Sequence, residues 1–513
     1  MNTPPFLSIV IPTRDRPQLL KHALWSCLQQ SDQDFEVIVC DNPKNTSARS
    51  IFDETVGDHP NFHYFLADNE LNMVDNWNRG IDQASGNYVT LLEDKFALRL
   101  DCIEALKEIT KNKSPEIISW YPDIFRPKDE QQSCDQGIYK ERHPIDLTPC
   151  PFDPFLIMEK RLACDTVRGT EGGMYGMGKI LFGAFHRILI DRIIKKTGKL
   201  FHPFAPDYTS MSAALLLSKS AIDIGRSLCI TVSTNLSNGA LCQGHVRHAE
   251  AFLKSYGSLD SVHKQLPIPN LSTPAHNMVA HDYLSLCQQL PNESQTLKFN
   301  WSGLYLQSEK ELKLVKWTSD QQKKEHYKLL RDGAQSFPTK HRLAIKLRNA
   351  IKIIPLKISK PLVQQIEKLL YRLEGKPAIH PESELWKRWT SDVIYHDLAI
   401  APLGLDASLL YLYFRDRAAR QNTLHEPASI PMNTEKPEKT PAISSLIQSL
   451  DPAVSSLIDN LISQITLLES EEIKKNTGDR ISQLEDKLEN FRGMISRRDK
   501  RILKLEKKVL SKK

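Results

Sequence analysis

Over the first 120 residues, short continuous apolar runs alternate with segments of helical spacing, a pattern that predicts strands each followed by a helix. Strands are expected at Leu7 to Ile11, Phe35 to Cys40, Phe62 to Leu66, Tyr88 to Leu92 and Ile117 to Trp120. Between the first two, Pro17 suits an opening helical turn, and Leu19, Leu20, Ala23, Leu24, Cys27 and Leu28 form one apolar face. Further helices are expected over Met73 to Ala84 and Asp101 to Lys111. Strands apolar on both faces and separated by helices imply an α/β fold with a doubly wound sheet.

In such sheets a ligand sits outside the carboxyl ends of the strands. Three polar loops fall there: Thr13-Arg14-Asp15-Arg16, Asp41-Asn42-Pro43-Lys44 and Glu93-Asp94-Lys95. Charges at the end of a buried strand make sense where the strand opens into a crevice, although solvated turn residues are the plain alternative for any one loop. No G-x-G-x-x-G follows the first strand and no G-x-x-x-x-G-K-[ST] occurs, which argues against a dehydrogenase and a P-loop nucleotidase. Asp94 remains available to hold a divalent ion against a diphosphate, and Asp41 to accept hydrogen bonds from a nucleoside.

At these residues the chain resembles the family 2 glycosyltransferases, inverting enzymes of GT-A fold that use nucleotide-diphosphate sugars. SIVIPTRDRPQLLKHAL resembles their opening strand and helix, and VIVCDNPKN their second strand with its nucleoside-binding Asp. LNMVDNWNRGIDQASGNYVTLLEDK resembles the approach to their acidic metal motif. The likeness covers residues 5 to 110 and continues loosely to about 250. It implies that Pro12, Thr13, Arg14 and Asp15 line the nucleotide pocket and that Asp41 meets the base, often uracil. Asn78, Gly80, Ala84 and Gly86 match the segment shaping the approach to the sugar diphosphate, helix packing and a C-cap being the plain alternative for the last two.

Glu93, Asp94 and Lys95 fall on the family's D-x-D, with a lysine where the second acidic residue is usual. The resemblance implies Mn²⁺ or Mg²⁺ on Asp94, with Glu93 orienting water; Lys95 either points away or replaces part of the metal's charge. GKLFHPFAPDYTSMSAALLLSK resembles the stretch carrying the catalytic base, which would be Asp207; from the residues alone, a helix N-cap is the plainer reading of Asp207. In GHVRH, His245 stands where the fold often places a late metal-binding His, although a surface pair with His248 is the plain reading. The glycine-rich GTEGGMYGMGK, residues 169 to 179, fits a loop near the acceptor or a tight connection and matches no phosphate motif.

The remaining residues add organisation. A chain of 513 residues, 40% hydrophobic, is long enough for two or three folded units. The expected division is a GT-A domain over 1–260, a mostly helical accessory region over 261–420, a disordered linker over 421–445, and a helical segment with a basic coiled coil over 446–513. The coiled coil rests on Ile481, Leu484, Leu488, Phe491, Ile495, Ile502, Leu505 and Val509, which alternate at heptad spacing and imply a homo-oligomer. Residues 340–360 are basic and amphipathic, fitting either a peripheral contact with an anionic membrane or a domain helix with a basic outer face. The last 17 residues carry a net +7 of the chain's +6, so the body is near neutral and nothing marks it as a nucleic-acid binder. Nine scattered cysteines without C-x-x-C suggest a reducing cytosol, and no run approaches the roughly 20 apolar residues of a spanning helix. The expected localisation is cytoplasmic, extending to the inner face of a membrane.

Together these features predict an enzyme that moves a sugar from a nucleotide donor, UDP-linked, to a glycan or lipid-linked hydroxyl. The alternatives are a nucleotide-sugar-binding protein that has lost turnover, suggested by Lys95, and an assembly scaffold built on the coiled coil.

Overall fold

The computed structural model describes residues 3–111, 113–126, 137–142, 148–162, 176–232, 238–351 and 393–398. The linker at 421–445, the coiled-coil seam within 446–513 and the basic stretch after residue 351 lie outside the described residues. The chain divides into two compact units, residues 1–345 with 370–426 and residues 346–369 with 427–513. The site described below lies in the first.

Its centre is a parallel sheet of β1 (Leu7–Thr13), β2 (Phe35–Asp41), β3 (Phe62–Leu66) and β4 (Tyr88–Leu91), in the spatial order β4-β1-β2-β3. The apolar runs are continuous because β1, β2 and β4 are buried along their length, Ile9, Val10, Ile11, Val37 and Val39 completely so. The connecting helices are α1 (Pro17–Leu28), α2 (Arg49–Val56), α3 (Met73–Gln83) and α4 (Cys102–Thr110). β1 runs two residues past the expected Ile11, because its pairing with β2 continues to Thr13 opposite Asp41. α3 ends at Gln83 with Ala84 in the C-cap position, its capping reading. Gly80 lets α3 lie close on the sheet: a Cβ there would stand 2.4 Å from a Val10 methyl.

Beyond β4 the sheet becomes mixed rather than parallel throughout. It gains β5 (Phe96–Leu98), β6 (Ile117–Arg126), β7 (Gly137–Arg142), β8 (Cys150–Pro151), β9 (Gly183–His186), β10 (Ala221–Val232) and β11 (Val393–Leu398). β9 inserts antiparallel between β4 and β6, while β10 runs parallel to β6 and antiparallel to β5. Gly183 permits the insertion, since a Cβ there would lie 2.4 Å from the Ile118 carbonyl oxygen. β11 pairs antiparallel with β7 and lies inside the region whose pattern reads as mostly helical.

The later helices are α5 (Pro154–Leu162), α6 (Arg187–Thr197), α7 (Pro206–Leu217), α8 (Asn238–Gly244), α9 (Val246–Lys254), α10 (Leu259–Gln265), α11 (Ala275–Gln289), α12 (Pro291–Ser294), α13 (Trp301–Leu312), α14 (Asp320–Gly333) and α15 (Thr339–Ile351). α7 is buried nearly all round, and Met211, Ala214 and Leu215 join the main core with Tyr283 and Leu286 of α11. Ile268, Leu304, Leu312, Leu330 and Phe337 form a separate apolar cluster around α13 and α14.

Candidate active site

The carboxyl ends of β1, β2 and β4 meet because the strands are neighbours in register: Thr13 faces Asp41, and the Leu92 N–H donates to the Val10 carbonyl at 2.9 Å. The Thr13 hydroxyl donates to Asp94 Oδ2 at 2.8 Å. On the other side the Arg16 guanidinium stands 3.1 Å from Asp94 Oδ1. Only the arginine of this pair is open, its side chain 32% exposed against 0% for the aspartate. Burial pushes the Asp94 carboxyl up to about 6, against the opposing pull of Arg16 and the Thr13 hydrogen bond. Lys95 turns back onto Glu93, its Nζ 2.8 Å from Oε2 and its ammonium 5.6 Å from the Phe96 ring centre.

Both carboxylates of the acidic motif are therefore engaged by cations of the same chain. Among the described residues no three His, Cys, Asp or Glu side chains are grouped to hold a metal ion. His245 stands exposed at the head of α9, its carbonyl accepting the His248 and Ala249 N–H groups, and no hydrogen bond or ion pair among the described residues joins it to Asp94. The described residues, with Asp94 paired to Arg16 and Glu93 to Lys95, do not fit the Mn²⁺ or Mg²⁺ that the resemblance implies.

Asp41 ends β2 fully buried. Its Oδ2 accepts the Ser47 hydroxyl at 2.9 Å, the Ala48 N–H at 2.8 Å and the Tyr64 hydroxyl, while Oδ1 is buried with no hydrogen-bond partner among the described residues. Ala48 is the N-cap residue of α2, so Asp41 also supplies the cap that an alanine cannot. Burial, then the bond to Asp41, raises the Tyr64 hydroxyl well above its ordinary pKa.

Asp15 holds the loop after β2 in place. Its Oδ1 accepts the N–H groups of Lys44, Asn45 and Thr46 at 3.0, 2.8 and 2.8 Å. Slight burial raises its carboxyl, but these three bonds outweigh that and hold it below the usual range. A left-handed φ of 54°, which aspartate tolerates better than most residues, aims the side chain there. Arg14 reaches Glu70 and the Leu71 carbonyl, and Asn42 exchanges two hydrogen bonds with the Leu71 backbone. Pro12 is buried in β1 opposite Cys40. The three loops thus form one tied wall in which Arg14 and Asp15 act as fasteners.

A second group of candidate residues lies around α7. Asp207 is not an N-cap; Ala205 is, and Asp207 sits in the first turn after Pro206. Its Oδ2 accepts a charge-assisted bond from Lys179 Nζ at 2.8 Å, and the fully buried lysine lies 3.6 Å from the Tyr208 ring centre. Asn78 on α3 is a clip as well, exchanging hydrogen bonds of 2.9 and 3.0 Å with the Phe201 backbone on the approach to α7. On either side of the acidic motif, the Thr90 hydroxyl of β4 donates to the Gly183 carbonyl at 2.7 Å, and Phe96 stacks on Phe182 at 5.8 Å.

Sequence reasoning gave no role to Arg16, Tyr64 or Lys179. Arg16 carried a signal, as the fourth residue of a charged turn at a strand end. Lys179 carried only its place at the end of a glycine-rich stretch, and the burial of a lysine there has no local signature.

Residues 8–133 match the family model for Glycosyl transferase family 2. Among curated proteins, the GalNAc(5)-diNAcBac-PP-undecaprenol beta-1,3-glucosyltransferase of Campylobacter jejuni is 34% identical over 105 residues, 20% of this chain and 34% of that protein. The match thus spans about a third of the relative's length. Among solved structures, residues 1–349 of S. aureus TarS in complex with UDP-GlcNAc are 12% identical, covering 72% of this chain and 90% of that one with a TM-score of 0.40. The mannosyltransferase PcManGT of Pyrobaculum calidifontis, in complex with GDP-Man and Mn²⁺, is 15% identical, covering 65% and 87% with a TM-score of 0.32. The strand-end loops, the acidic motif and the match to the family 2 glycosyltransferase model thus all fall in one N-terminal stretch of this chain.

Proposed function

We propose that the chain is an inverting glycosyltransferase that moves a sugar from a UDP-linked donor to a hydroxyl of a glycan or lipid-linked acceptor. The observation that carries this reading is Asp41, whose Oδ2 is saturated by three donors while Oδ1, buried at a strand end, lacks one among the described residues. A nucleobase N–H would complete it. The family match supports the reaction class, and the undecaprenol-linked substrate in the Campylobacter relative's name supports the acceptor class.

In the transfer, the acceptor hydroxyl gives its proton to Asp207 Oδ1 as its oxygen bonds to the anomeric carbon. The bond from that carbon to the diphosphate oxygen breaks on the opposite face, and the nucleoside diphosphate leaves with the electron pair. Lys179 holds Oδ2 and so fixes which carboxylate oxygen faces the acceptor. Family 2 enzymes commonly use a divalent cation for the leaving charge; here Arg16, the open partner of Asp94, meets it, and Lys95 balances Glu93.

The test is a panel of nucleotide sugars incubated with the protein and a lipid-linked glycan, the product read by NMR. Transfer from a UDP-sugar with inverted anomeric configuration supports the proposal. Binding without turnover would instead favour the donor-binding protein that the cation-engaged motif suggests, and no binding at all would favour a scaffold. Self-association through residues 446–513 rests on the heptad pattern; light scattering should show a smaller assembly once they are deleted. A cytoplasmic location with peripheral membrane contact through the basic segment predicts binding to anionic vesicles that salt reverses. Among the described residues no helix is long and apolar enough to cross a membrane.

A further inference from the structure

α7 begins without a side-chain cap, because its N-cap residue is Ala205, and it carries Asp207 in that uncapped first turn. α11, more than 70 residues later in the chain and outside the family-matched segment, supplies an acceptor to the two N–H groups that lead into this turn. Asp282 Oδ2 accepts the N–H groups of Phe204 at 2.8 Å and Ala205 at 2.6 Å, and Oδ1 also lies 2.8 Å from the Phe204 nitrogen. Its side chain is fully buried, and among the described residues its one side-chain partner is the adjacent His281, whose Nδ1 lies 2.9 Å from Oδ1. Packing repeats the connection: the Phe204 ring lies 4.7 Å from the His281 ring, and Tyr283 of α11 meets Tyr208 of α7 edge-on at 6.2 Å.

A buried carboxylate is expensive and is kept only where hydrogen bonds compensate it. Here the compensation comes from the two backbone groups leading into α7, at the positive end of that helix's dipole. Lys179 grips Asp207 through its side chain, and Asp282 grips the turn that carries it through the backbone.

We propose that Asp282 is a positioning residue for Asp207: by fixing the N–H groups of Phe204 and Ala205 it sets the first turn of α7, and hence where the Asp207 carboxylate meets the acceptor. This rests on the reading of Asp207 as the base.

A double-mutant cycle with Asp282→Asn and Asp207→Asn, measured for transfer kcat, UDP affinity and amide exchange, tests it. The asparagine keeps the shape but turns an amide N–H₂ toward donors that need an acceptor. Asp282→Asn is expected to lower kcat about 10-fold or more, as misplacement of a reacting group does. UDP affinity should not change, amide exchange should quicken at residues 204 and 205, and almost nothing should be lost on adding the change to Asp207→Asn. An equal loss in both backgrounds, or normal kcat with quickened exchange, overturns the proposal and leaves the base assignment standing. Near-normal transfer by Asp207→Asn alone overturns the base assignment itself. If Asp282→Asn no longer binds UDP, His281→Gln replaces it in the same cycle and is read in the same way.

Discussion

Arg16 and Asp94 stand 3.1 Å apart with opposite exposure, the guanidinium one-third open to solvent and the carboxylate closed off. The ion pair does not repay the burial of the acid, whose pKa is pushed up to about 6 from 3.8 by desolvation. Between about pH 4 and 6 the folded chain therefore holds a proton that the unfolded chain has released. The penalty is absent below that window, grows through it and is complete above pH 6. Asp94→Asn should consequently stabilise the fold at pH 7.5, by on the order of 2 kcal/mol, with the gain gone near pH 4. Urea denaturation at the two pH values checks this, and a less stable variant at pH 7.5 would contradict it.

The same pair bears on metal use. With Asp94 covered by Arg16 and Glu93 by Lys95, the charge available to a leaving diphosphate is the guanidinium. UDP affinity by calorimetry should differ no more than about 3-fold between excess EDTA and millimolar Mg²⁺, whereas Arg16→Gln should weaken it about 10-fold, the worth of one charge-assisted bond. Loss of UDP binding in EDTA, with Arg16→Gln mild, would return the role to a cation on Asp94.

Asp41 holds the start of α2 and is proposed to meet the nucleobase, and the choice of substitution separates the two roles. Asp41→Ala would strand the Ser47, Ala48 and Tyr64 donors and destabilise the fold by about 1–3 kcal/mol. Asp41→Asn keeps one acceptor oxygen for them and replaces Oδ1 with a donor. It should weaken UDP binding about 10-fold or more while shifting the melting temperature by only a few degrees. Unchanged UDP affinity would make Asp41 a structural cap for α2 and nothing more.

How much of this was legible in the sequence follows from range. β1 to β4, α1, α3 and α4 were readable because buried parallel strands are largely apolar and these helices keep one apolar face, whereas α2 was missed, its eight residues burying only Phe52 and Val56. The loops at the strand ends were readable for the same reason, since charges interrupt a buried run only where the chain leaves the core. β9 was not: four residues running antiparallel between β4 and β6 are too short to show a period, and their place is set by contacts with strands about 70 to 100 residues earlier. The fasteners were hidden likewise. Asp15 and Asn78 have the identities of ligand-facing residues, yet their oxygens meet backbone N–H groups of distant loops. Asp282 lies inside an ordinary helical pattern, and only the tertiary approach of α11 to α7 distinguishes it from a surface acid.

Lys179 holds Asp207 Oδ2 at 2.8 Å. On the proposed reading of Asp207 as the base, that grip fixes which carboxylate oxygen is presented to the acceptor. Asp207→Asn should leave UDP affinity nearly intact while lowering transfer by about 10² or more, the usual scale for a general base. Lys179→Met keeps the packing against Tyr208 but removes the charge. It should lower kcat with little change in donor KM, by less than Asp207→Asn does, because the carboxylate survives but is free to turn. If Lys179→Met instead raised kcat, the pair would be a latch holding the base away from its substrate, and Asp207 would have to leave the lysine before each turnover.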